Sequence, residues 1–463
     1  NHSGYAAAMT NPAMRLNGTT VDLADSDPTE SLLRWLNRRG SHGTKEGCAD
    51  GDCGACTVAL IEPDSAKVNV FRAVNSCLLP IGSLSGRDIV TVEHLAEGDA
   101  LHPVQQAMVN CSGSQCGYCT PGFVMSLFAG YQNGELDDHT TEGNLCRCTG
   151  YLPIRRATDQ LHLVKPETDR FSSMLGAPAI DADGEFGEQF FNPLSVSAAI
   201  ELKQRFPAAT WIAGATDLGV ELSHGRRRNE TFIALDRIDE LQHIFIDEHA
   251  VTIGAGVALS VVESQVGSKI PALGEMLRWF AARQVKNRAT FGGNLGSASP
   301  IGDLLPILLA LDGEIHMLGP RGTRIVAAQE FFIDYRKTAR DDDELIVAVR
   351  LPLSAHRCAA YKVAKRQSDD ISIVAGVFAI SLDRDKRVAH ARLAYGGVAA
   401  IPKRATTTEA WLRGRVLDLP TLGRATELLG KEFTPMSDHR ASAEYRRALC
   451  VNLFLRFVAE HFA

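Results

Sequence analysis

The cysteines of this chain are unevenly distributed, and their crowding points to metal chemistry. Nine of the eleven lie between Cys48 and Cys148, and only Cys358 and Cys450 lie beyond. In a chain of 463 residues without a secretory signature, such crowding favours metal ligation over disulfides. Cys111 falls outside the motifs described below and, like Cys358 and Cys450, is interpreted as an ordinary buried thiol.

The first set of cysteines has the spacing of a plant-type 2Fe-2S site, with three thiolates from one tight loop and a fourth from a later segment. Its members are Cys48, Cys53, Cys56 and Cys77. A 2Fe-2S cluster with four thiolates is negatively charged, so main-chain amides must approach the sulfurs closely. Three loop glycines permit that approach: Gly47, Gly51 and Gly54. A four-cysteine zinc site is the alternative, but it usually pairs two CxxC knuckles, which this spacing lacks.

The second set consists of Cys116, Cys119, Cys146 and Cys148. Each of its two pairs is expected at the start of a helix, where N-terminal amides stabilise a negative centre. A CxxC combined with a CxC is also compatible with zinc or with a redox dithiol. The residues alone therefore leave these three interpretations open.

The segments around the cysteines predict two small units. Asn17-Gly18 lies between two short β-like runs and predicts a hairpin. Ser31–Leu36 has its leucines on one helical face, and Gly40 is placed to end that helix. Pro103 and Pro121 each suit the first turn of a helix. A mixed α/β unit followed by a compact helical bundle is expected.

The second half of the chain differs in composition and in its pattern of predicted elements. Residues 166–190 are rich in Ser, Gly, Ala, Pro and Asp, and lack a periodic apolar pattern that could seat them in a core, so a surface linker is expected. Beyond it, β-like runs at Trp211–Ala213 and Ala250–Ile253 alternate with helical stretches at Ser195–Arg205 and Ile307–Leu311. This pattern predicts an α+β domain, with a smaller α/β domain from about His356.

Composition excludes other classes of protein. The formal net charge of -7, with 45% hydrophobic and 22% charged residues, argues against nucleic-acid binding. No apolar run reaches the length of a membrane span. Residues 1–9 lack the features of a secretory signal, and Ala6-Ala7-Ala8 is interpreted as a tag remnant. A cytoplasmic protein is expected.

Two turns with small residues follow the linker, Ala213–Asp217 and Thr290–Asn294. Such turns let main-chain amides reach a pyrophosphate, and Thr216 adds a hydroxyl donor. Either turn alone is weak evidence, since most glycines of this kind only close turns. Ala215 stands where a positive φ is expected, at a cost of about 1 kcal/mol for alanine.

Three long motifs together resemble the double 2Fe-2S segment of molybdenum hydroxylases: Glu46–Val58, Gln115–Gly122 and Gly143–Tyr151. The resemblance implies that both cysteine sets bind 2Fe-2S clusters, and Ser76-Cys77-Leu78 matches the family's fourth ligand of the first set. It also implies a β-grasp, ferredoxin-like first domain. The second domain would be a helical bundle that holds the cluster nearer the molybdenum.

The resemblance continues into the flavin part of the same family through Ser299–Asp303 and Phe332–Thr338, and it is not the Rossmann fingerprint. It implies FAD contacts at Thr210, Trp211, Ile212, Ala213, Gly214, Ala215, Thr216, Asp217, Phe280, Thr290, Phe291, Gly292, Gly293, Asn294, Asp303, Ile346 and Lys362. Asp217 and Asp303 could instead be plain turn and cap residues. The resemblance also implies a nicotinamide pocket at Tyr335, Asp369 and Asp370, although Asp369-Asp370 could be a solvated turn.

The expected fold is therefore α+β and multidomain. A ferredoxin-like domain is expected over residues 12–95, a helical 2Fe-2S domain over 96–165 and the linker over 166–190. The FAD-binding domain would cover residues 191–355, and the C-terminal domain of the flavoprotein part would cover 356–463.

No part of the chain is left to bind molybdopterin, so the resemblance implies a separate large subunit, in a heterotetramer with two copies of each chain. Both clusters and the flavin in one chain are typical of bacterial xanthine dehydrogenase. The implied function is electron transfer from molybdenum through both clusters to FAD and NAD during hypoxanthine or xanthine oxidation. Alternatives are an aldehyde or N-heterocycle hydroxylase, a free-standing flavin reductase, and a cluster-based redox sensor. The sensor is disfavoured, since no helix-turn-helix or basic stripe is evident.

Overall fold

The computed structural model describes residues 11–64, 68–164, 166, 168–180, 184–227, 229–353 and 356–462. The segment 1–9, interpreted above as lacking a signal, lies outside the described residues. The chain divides into two compact units: unit 1 is Asn1–Arg237 with Ala282–Ala289, and unit 2 is Ile238–Ala281 with Thr290–Ala463. Within the described ranges, no helix has both the length and the apolar character needed to cross a bilayer.

Unit 1 opens with a β-grasp arrangement of five strands and one helix. The elements are β1 (Ala13–Leu16), β2 (Thr19–Asp22), α1 (Leu32–Arg38), β3 (Thr57–Pro63), β4 (Asn69–Asn75) and β5 (Asp88–Val90). The strand order is β2-β1-β5-β3-β4, with β1 and β5 parallel. The predicted hairpin at Asn17-Gly18 is confirmed, and both residues have a positive φ. Ser31 caps α1, because its side chain accepts a hydrogen bond from the main-chain amide of Arg34.

The helical part of unit 1 follows. It contains α2 (Pro103–Asn110), α3 (Thr120–Asn133), α4 (Leu152–Leu161) and α5 (Arg170–Leu175). Pro103 and Pro121 lie in the first turns of α2 and α3, as predicted. Helix α3 packs against β3 and β4, and its buried Phe123 and Phe128 join one core with the sheet residue Phe71.

Helix α5 lies inside the segment expected to be a surface linker, and this part of the expectation was wrong. Asp169 caps the helix with hydrogen bonds to the amides of Phe171 and Ser172. The Phe171 side chain is 2% exposed and packs edge-on against Phe71 and Phe128. A single aromatic anchor has no period, so the apolar pattern of the sequence did not reveal it.

Unit 1 continues with a small parallel sheet. Its elements are β6 (Phe190–Phe191), α6 (Val196–Arg205), β7 (Thr210–Ile212), α7 (Leu218–Ser223) and β8 (Phe232–Ala234), in the strand order β6-β8-β7. Phe190, Ile212 and Phe232 share a core with the first sheet residues Val58 and Ile89.

Unit 2 contains two larger sheets. The elements of the first part are β9 (Ile244–Ile246), β10 (Ala250–Gly254), α8 (Leu259–Val266), α9 (Pro271–Arg278), α10 (Arg283–Lys286, in unit 1), α11 (Phe291–Ser297), α12 (Leu305–Ala310), β11 (Glu314–Gly319), β12 (Gly322–Ala327), α13 (Ala328–Phe331), β13 (Phe332–Asp334), β14 (Lys337–Thr338) and β15 (Leu345–Pro352). Five of these strands form an antiparallel sheet in the order β12-β11-β15-β10-β9, and β13 and β14 form a hairpin. The C-terminal part has a four-stranded antiparallel sheet in chain order with three helices: β16 (Arg357–Val363), β17 (Val374–Leu382), β18 (Val388–Gly396), β19 (Lys403–Arg404), α14 (Thr406–Leu412), α15 (Leu419–Glu432) and α16 (Ala443–Phe462). The predicted α+β multidomain class is confirmed.

Residues Ala282–Ala289, here called the inserted segment, belong to unit 1 although unit 2 flanks them on both sides in sequence. The segment is polar but buried. Gln284 is 1% exposed, Lys286 is fully buried, and Arg288 is 7% exposed. Arg288 bonds to Glu62 on β3 at 2.7 Å and to Asp236 at 2.8 Å. Buried charges need such partners, so specific contacts hold the segment in unit 1.

Candidate redox sites

The four cysteines of the first set lie together in unit 1. Cys48, Cys53 and Cys56 precede β3, and Cys77 lies in a short 3-10 helix, Ser76–Leu78, after β4. Their thiols approach each other in two pairs, Cys48 with Cys53 and Cys56 with Cys77. Four thiols gathered in two pairs can supply two ligands to each iron, so the donor set fits a 2Fe-2S cluster.

The loop of the first set stabilises negative charge on sulfur. Cys48 Sγ accepts hydrogen bonds from the main-chain amides of Asp50 at 3.4 Å and Cys53 at 3.3 Å. The Cys53 thiol and then these amides, acting against burial, lower the pKa of Cys48 to about 5. A Cβ on Gly47 would lie 2.6 Å from Cys53 Sγ, so glycine is required for this close approach. These donors suit a thiolate ligand.

The second set is also assembled in pairs, Cys116 with Cys148 and Cys119 with Cys146. Cys119 is the N-cap of α3, as predicted, whereas Cys146 and Cys148 lie in the loop before α4. Cys146 Sγ accepts a hydrogen bond from the Thr149 amide at 3.5 Å. Within the described part of the chain, no three His, Cys, Asp or Glu side chains gather as ligands of one metal ion.

The two sets differ in exposure. Cys56 and Cys77 of the first set are 2% and 1% exposed. Cys116 and Cys148 of the second set are exposed at the surface of unit 1. Four apolar side chains beside the second set are also exposed, namely Tyr118, Leu145, Tyr151 and Leu152. Cys48, Cys53 and Cys119 are half-buried and Cys146 is buried, so the second set reaches the surface of unit 1 through Cys116 and Cys148.

The first glycine turn, Ala213–Asp217, joins β7 to α7 in unit 1. Ala215 has a φ of 62°, so the predicted positive φ is confirmed. A Cβ on Gly214 would lie 1.6 Å from the carbonyl oxygen of Arg288, which leaves no room for any other residue. The turn is thus fixed by close backbone contact, as a phosphate-binding turn requires.

The second turn, Thr290–Asn294, opens α11 in unit 2. The Thr290 hydroxyl accepts a hydrogen bond from the Gly293 amide at 2.9 Å and caps the helix. A Cβ on Gly292 would lie 2.7 Å from the Ala255 carbonyl oxygen. Asn294 Oδ1 is buried without a hydrogen-bond partner among the described residues. An orphaned acceptor beside a glycine turn fits a polar cofactor with hydroxyl donors.

Asp303 and Lys362 form a buried ion pair in unit 2, at 2.7 Å with side chains 7% and 4% exposed. Lys362 also donates to the Trp279 carbonyl at 3.0 Å, and Ser372 donates to the second carboxylate oxygen of Asp303 at 2.5 Å. The structure therefore brings together two residues that the sequence placed far apart. Both oxygens of Asp303 have partners within the protein.

Of the other residues implied by the resemblance, Thr210, Trp211 and Ile212 form β7 in unit 1, and the rest lie in unit 2. Phe280 is half-buried after α9, and Ile346 is buried on β15. Tyr335 is 61% exposed between β13 and β14. Asp369 and Asp370 lie between β16 and β17, where Asp370 accepts hydrogen bonds from the amides of Arg366 and Ile371. Asp370 thus closes a turn, as in the alternative interpretation of this pair.

Sequence reasoning missed Asn144 and Gln284, which are 3% and 1% exposed. Asn144 lies inside the motif Gly143–Tyr151 but was not singled out. Gln284 lies in the inserted segment, whose run of polar residues is typical of an exposed helix. Burial of polar side chains by distant partners leaves no local signal.

Four family models match the chain. A 2Fe-2S iron-sulfur cluster binding domain matches residues 14–81, and a [2Fe-2S] binding domain matches 91–159. The FAD binding domain in molybdopterin dehydrogenase matches 184–354, and the CO dehydrogenase flavoprotein C-terminal domain matches 359–461. The chain belongs to the molybdenum hydroxylase family. The predicted 2Fe-2S and FAD-binding domains are confirmed.

Relatives among curated proteins are longer than this member of the family. Xanthine dehydrogenase 1 of Arabidopsis thaliana is 30% identical over 97% of this chain and 39% of its own length. The xanthine dehydrogenase of Emericella nidulans is 31% identical over 96% of this chain and 38% of its own length. The chain thus spans about two fifths of the length of these relatives.

Solved structures match a smaller part of the chain. A carbon monoxide dehydrogenase chain from Hydrogenophaga pseudoflava, in a form that lacks the Mo-pyranopterin moiety, matches with a TM-score of 0.55 and 27% identity. The match covers 58% of this chain and 94% of that one. A chain of quinoline 2-oxidoreductase from Pseudomonas putida 86 matches with a TM-score of 0.55, 25% identity and the same two coverages.

Proposed function

We propose that this chain is the electron-transfer subunit of a xanthine dehydrogenase-type enzyme. Electrons would enter from a molybdenum cofactor on a partner chain at the cysteine set Cys116, Cys119, Cys146 and Cys148. They would continue through the set Cys48, Cys53, Cys56 and Cys77 to FAD, and leave to NAD during oxidation of hypoxanthine or xanthine. The observation that carries this proposal is the difference in exposure between the two cysteine sets.

The exposed set is suited to meet a partner. Cys116 and Cys148 reach the surface, and the exposed fractions of Tyr118 and Leu152 beside them are 51% and 56%. Exposed apolar and aromatic side chains grouped around a functional site are typical of protein interfaces. Cys146 keeps its orientation there because its main-chain amide donates to the Tyr151 hydroxyl at 3.0 Å. A partner chain on this face would exclude water from the second cluster.

The first set is suited to pass electrons onward. Cys77 is 1% exposed, and the next residue, Leu78, is in close backbone contact with Gly219 at the start of α7. Helix α7 follows directly the first glycine turn, Ala213–Asp217. This contact supports the order second cluster, first cluster, flavin.

Bound 2Fe-2S clusters carry single electrons, and a bound flavin accepts two and passes a hydride to a nicotinamide. The chain's own residues would hold these groups. The turn at Ala213–Asp217 would offer main-chain amides, and Asn294 Oδ1 would accept a hydrogen bond. Asp303 and Lys362 would support the flavin-binding residues as a buried pair. Tyr335, Asp369 and Asp370 would lie near the nicotinamide.

Purine oxidation is supported by the names of the matched relatives, which are xanthine dehydrogenases. The matched structures are those of a carbon monoxide dehydrogenase and a quinoline oxidoreductase, so carbon monoxide and N-heterocycles are the competing substrate classes. The proposed assembly contains two copies each of this chain and a molybdenum-binding large subunit. A cytoplasmic location is proposed because none of the eleven cysteines forms a disulfide.

Analysis of the purified chain tests the cofactor assignment. Eight cysteine ligands and one flavin site should give four iron, four acid-labile sulfides and one FAD per chain. Cys111→Ser is a control for cysteine replacement, because Cys111 lies in the helical domain of the second set but outside the cysteine pairs. This variant should keep its iron, sulfide and FAD contents. Stoichiometric zinc without sulfide would contradict the cluster assignment.

The holoenzyme tests the reaction. The enzyme purified with its large subunit should contain molybdenum and reduce NAD with xanthine or hypoxanthine faster than with aldehydes, quinoline or carbon monoxide. Stopped-flow reoxidation should be faster with NAD than with oxygen. Full flavin reductase activity of the chain without any molybdenum-containing partner would favour the free-standing reductase instead.

A further inference from the structure

The loops that carry the two cysteine sets touch through their main chains. The Leu145 amide donates to the Cys53 carbonyl oxygen at 3.0 Å. Cys53 belongs to the first set, and Leu145 directly precedes Cys146 of the second set. A single hydrogen bond therefore joins the backbone of a proposed ligand of one cluster to the residue that precedes a proposed ligand of the other.

The Asn144 side chain holds this contact from one side. Its Nδ2 donates to the Gly54 carbonyl at 2.9 Å and to Thr57 Oγ1 at 3.3 Å, and both residues belong to or follow the first cysteine loop. Its Oδ1 accepts from the Ser126 hydroxyl on α3 at 2.7 Å. The residue is 3% exposed, so its amide competes with little water.

Gln284 of the inserted segment fixes Asn144 from the other side. Its Nε2 donates to Asn144 Oδ1 and to Ser126 Oγ, both at 3.0 Å. The three side chains thus form a closed ring of hydrogen bonds, and Gln284 is 1% exposed. Asn144 therefore has little freedom to move away from the first cysteine loop.

Glycines make the contact as close as main chains allow. A Cβ on Gly54 would lie 2.1 Å from the Gly143 carbonyl oxygen and 2.5 Å from Asn144 Nδ2. A Cβ on Gly122 of α3 would lie 2.1 Å from the Gly54 carbonyl oxygen. Since no side chain intervenes, the distance between the two loops is set by the hydrogen bonds of Asn144 and Leu145.

We propose that Asn144 is a positioning residue for electron transfer between the two clusters. It holds the hydrogen bond between Leu145 and Cys53 in place, and Gln284 holds it in turn. Electron tunnelling and magnetic coupling between two bound clusters both weaken steeply with their separation and with loss of a bonded path. The inference rests on the proposed function in requiring both clusters to be bound.

The test compares Asn144→Leu with Asn192→Leu. Asn192 is a matched control, since it is 7% exposed and donates to the carbonyls of Gly82 at 2.8 Å and Gly184 at 2.6 Å, neither of which is in a cysteine loop. The readouts are iron and sulfide content, the midpoint potentials, and the low-temperature electron paramagnetic resonance spectrum of the fully reduced protein. The spectrum reports the magnetic splitting between the two reduced clusters.

Asn144→Leu should keep two reducible clusters but lose the splitting, so that two independent signals remain. Asn192→Leu should keep the splitting even where its melting temperature falls. Gln284→Met changes a residue that acts on the loops through Asn144, and it should weaken the splitting. It is the deciding variant if Asn144→Leu does not retain iron. An unchanged splitting in every iron-loaded variant of Asn144 and Gln284 would overturn the role of Asn144. Absence of 2Fe-2S clusters from the wild-type chain would instead overturn the proposed function.

Discussion

The carbonyl oxygen of Leu78 occupies the space where a side chain of Gly219 would begin. A Cβ on Gly219 would lie 2.3 Å from that oxygen. Leu78 follows the proposed cluster ligand Cys77, and Gly219 lies in the first turn of α7, just after the turn Ala213–Asp217. A glycine at this one position therefore lets the proposed flavin turn and the first cysteine set share a backbone contact within unit 1.

Gly219→Ala should push α7 away from the 3-10 helix that carries Cys77. Forcing an extra carbon into this contact should cost about 1–3 kcal/mol of unfolding free energy. It should also slow electron equilibration between the first cluster and the flavin, measured by rapid reduction of the loaded protein. Gly423→Ala is the control, since Gly423 is also helical but has open space around its Cβ position. Equal rates in the two variants would argue against this route to the flavin.

Cys116→Ser should disable the entry point and spare the flavin. A serine hydroxyl is a poorer ligand for iron than a thiolate, so the second cluster should be lost or altered. FAD content should not change, because the residues implied for FAD begin at Thr210. Purine-to-NAD turnover of the assembled enzyme should largely disappear, whereas NADH-to-dye activity should persist. Parallel loss of both activities, with FAD and the partner still bound, would show that electrons do not enter here.

Arg288→Met should strongly destabilise unit 1. Arg288 and Arg87 both pair with Glu62 and Asp236, at distances between 2.7 and 3.0 Å. Burial would raise the pKa of Asp236, but the two arginines lower it, so its carboxylate stays charged. Removing one arginine leaves buried charge undercompensated and should cost about 3–5 kcal/mol.

An exposed ion pair provides the comparison for Arg288. Arg321 pairs with Asp341 and Asp343 at the surface of unit 2, with a side chain 63% exposed. Arg321→Met should change the unfolding free energy by less than about 1 kcal/mol. Chemical denaturation of both variants measures the difference, and similar losses would mean that the buried network contributes no more than a surface pair.

The stability of the helical 2Fe-2S domain should depend on the protonation of His102. Its Nδ1 accepts a hydrogen bond from the Val104 amide and caps α2, and burial lowers the pKa of His102 to about 4. Below about pH 6.5 the unfolded chain takes up a proton that the folded protein does not. Unfolding free energy should therefore fall by up to about 3 kcal/mol as the pH decreases from about 6.5 to about 4.

His102→Asn separates this effect from other titrations. Asparagine is a good N-cap and does not titrate, so the variant should keep α2 and show a flatter pH dependence. Urea denaturation at about pH 5 and about pH 7 gives the slopes. Identical slopes for the two proteins would assign the acid sensitivity to other groups.

Much of the candidate site could be predicted from the sequence because it depends on local spacing. The cysteine loop, the hairpin at Asn17-Gly18 and the positive φ of Ala215 all follow from the residues of one short segment. Phe171 and Gln284 could not be predicted. Their partners lie far away along the chain, and neither belongs to an apolar repeat. Contacts of this kind, between residues distant in sequence, become visible only once the chain is folded.

The inserted segment has a consequence for how this protein can be divided or recombined. A gene fragment ending near Arg237 would encode both cysteine sets but would lack Gln284 and Arg288, whose partners Asn144 and Glu62 lie in unit 1. Exchanging the iron-sulfur half between family members would likewise bring Glu62 and Asn144 against a foreign version of this segment. Residues 282–289 must therefore be inherited together with the N-terminal domains, although more than forty residues of unit 2 separate them in the sequence.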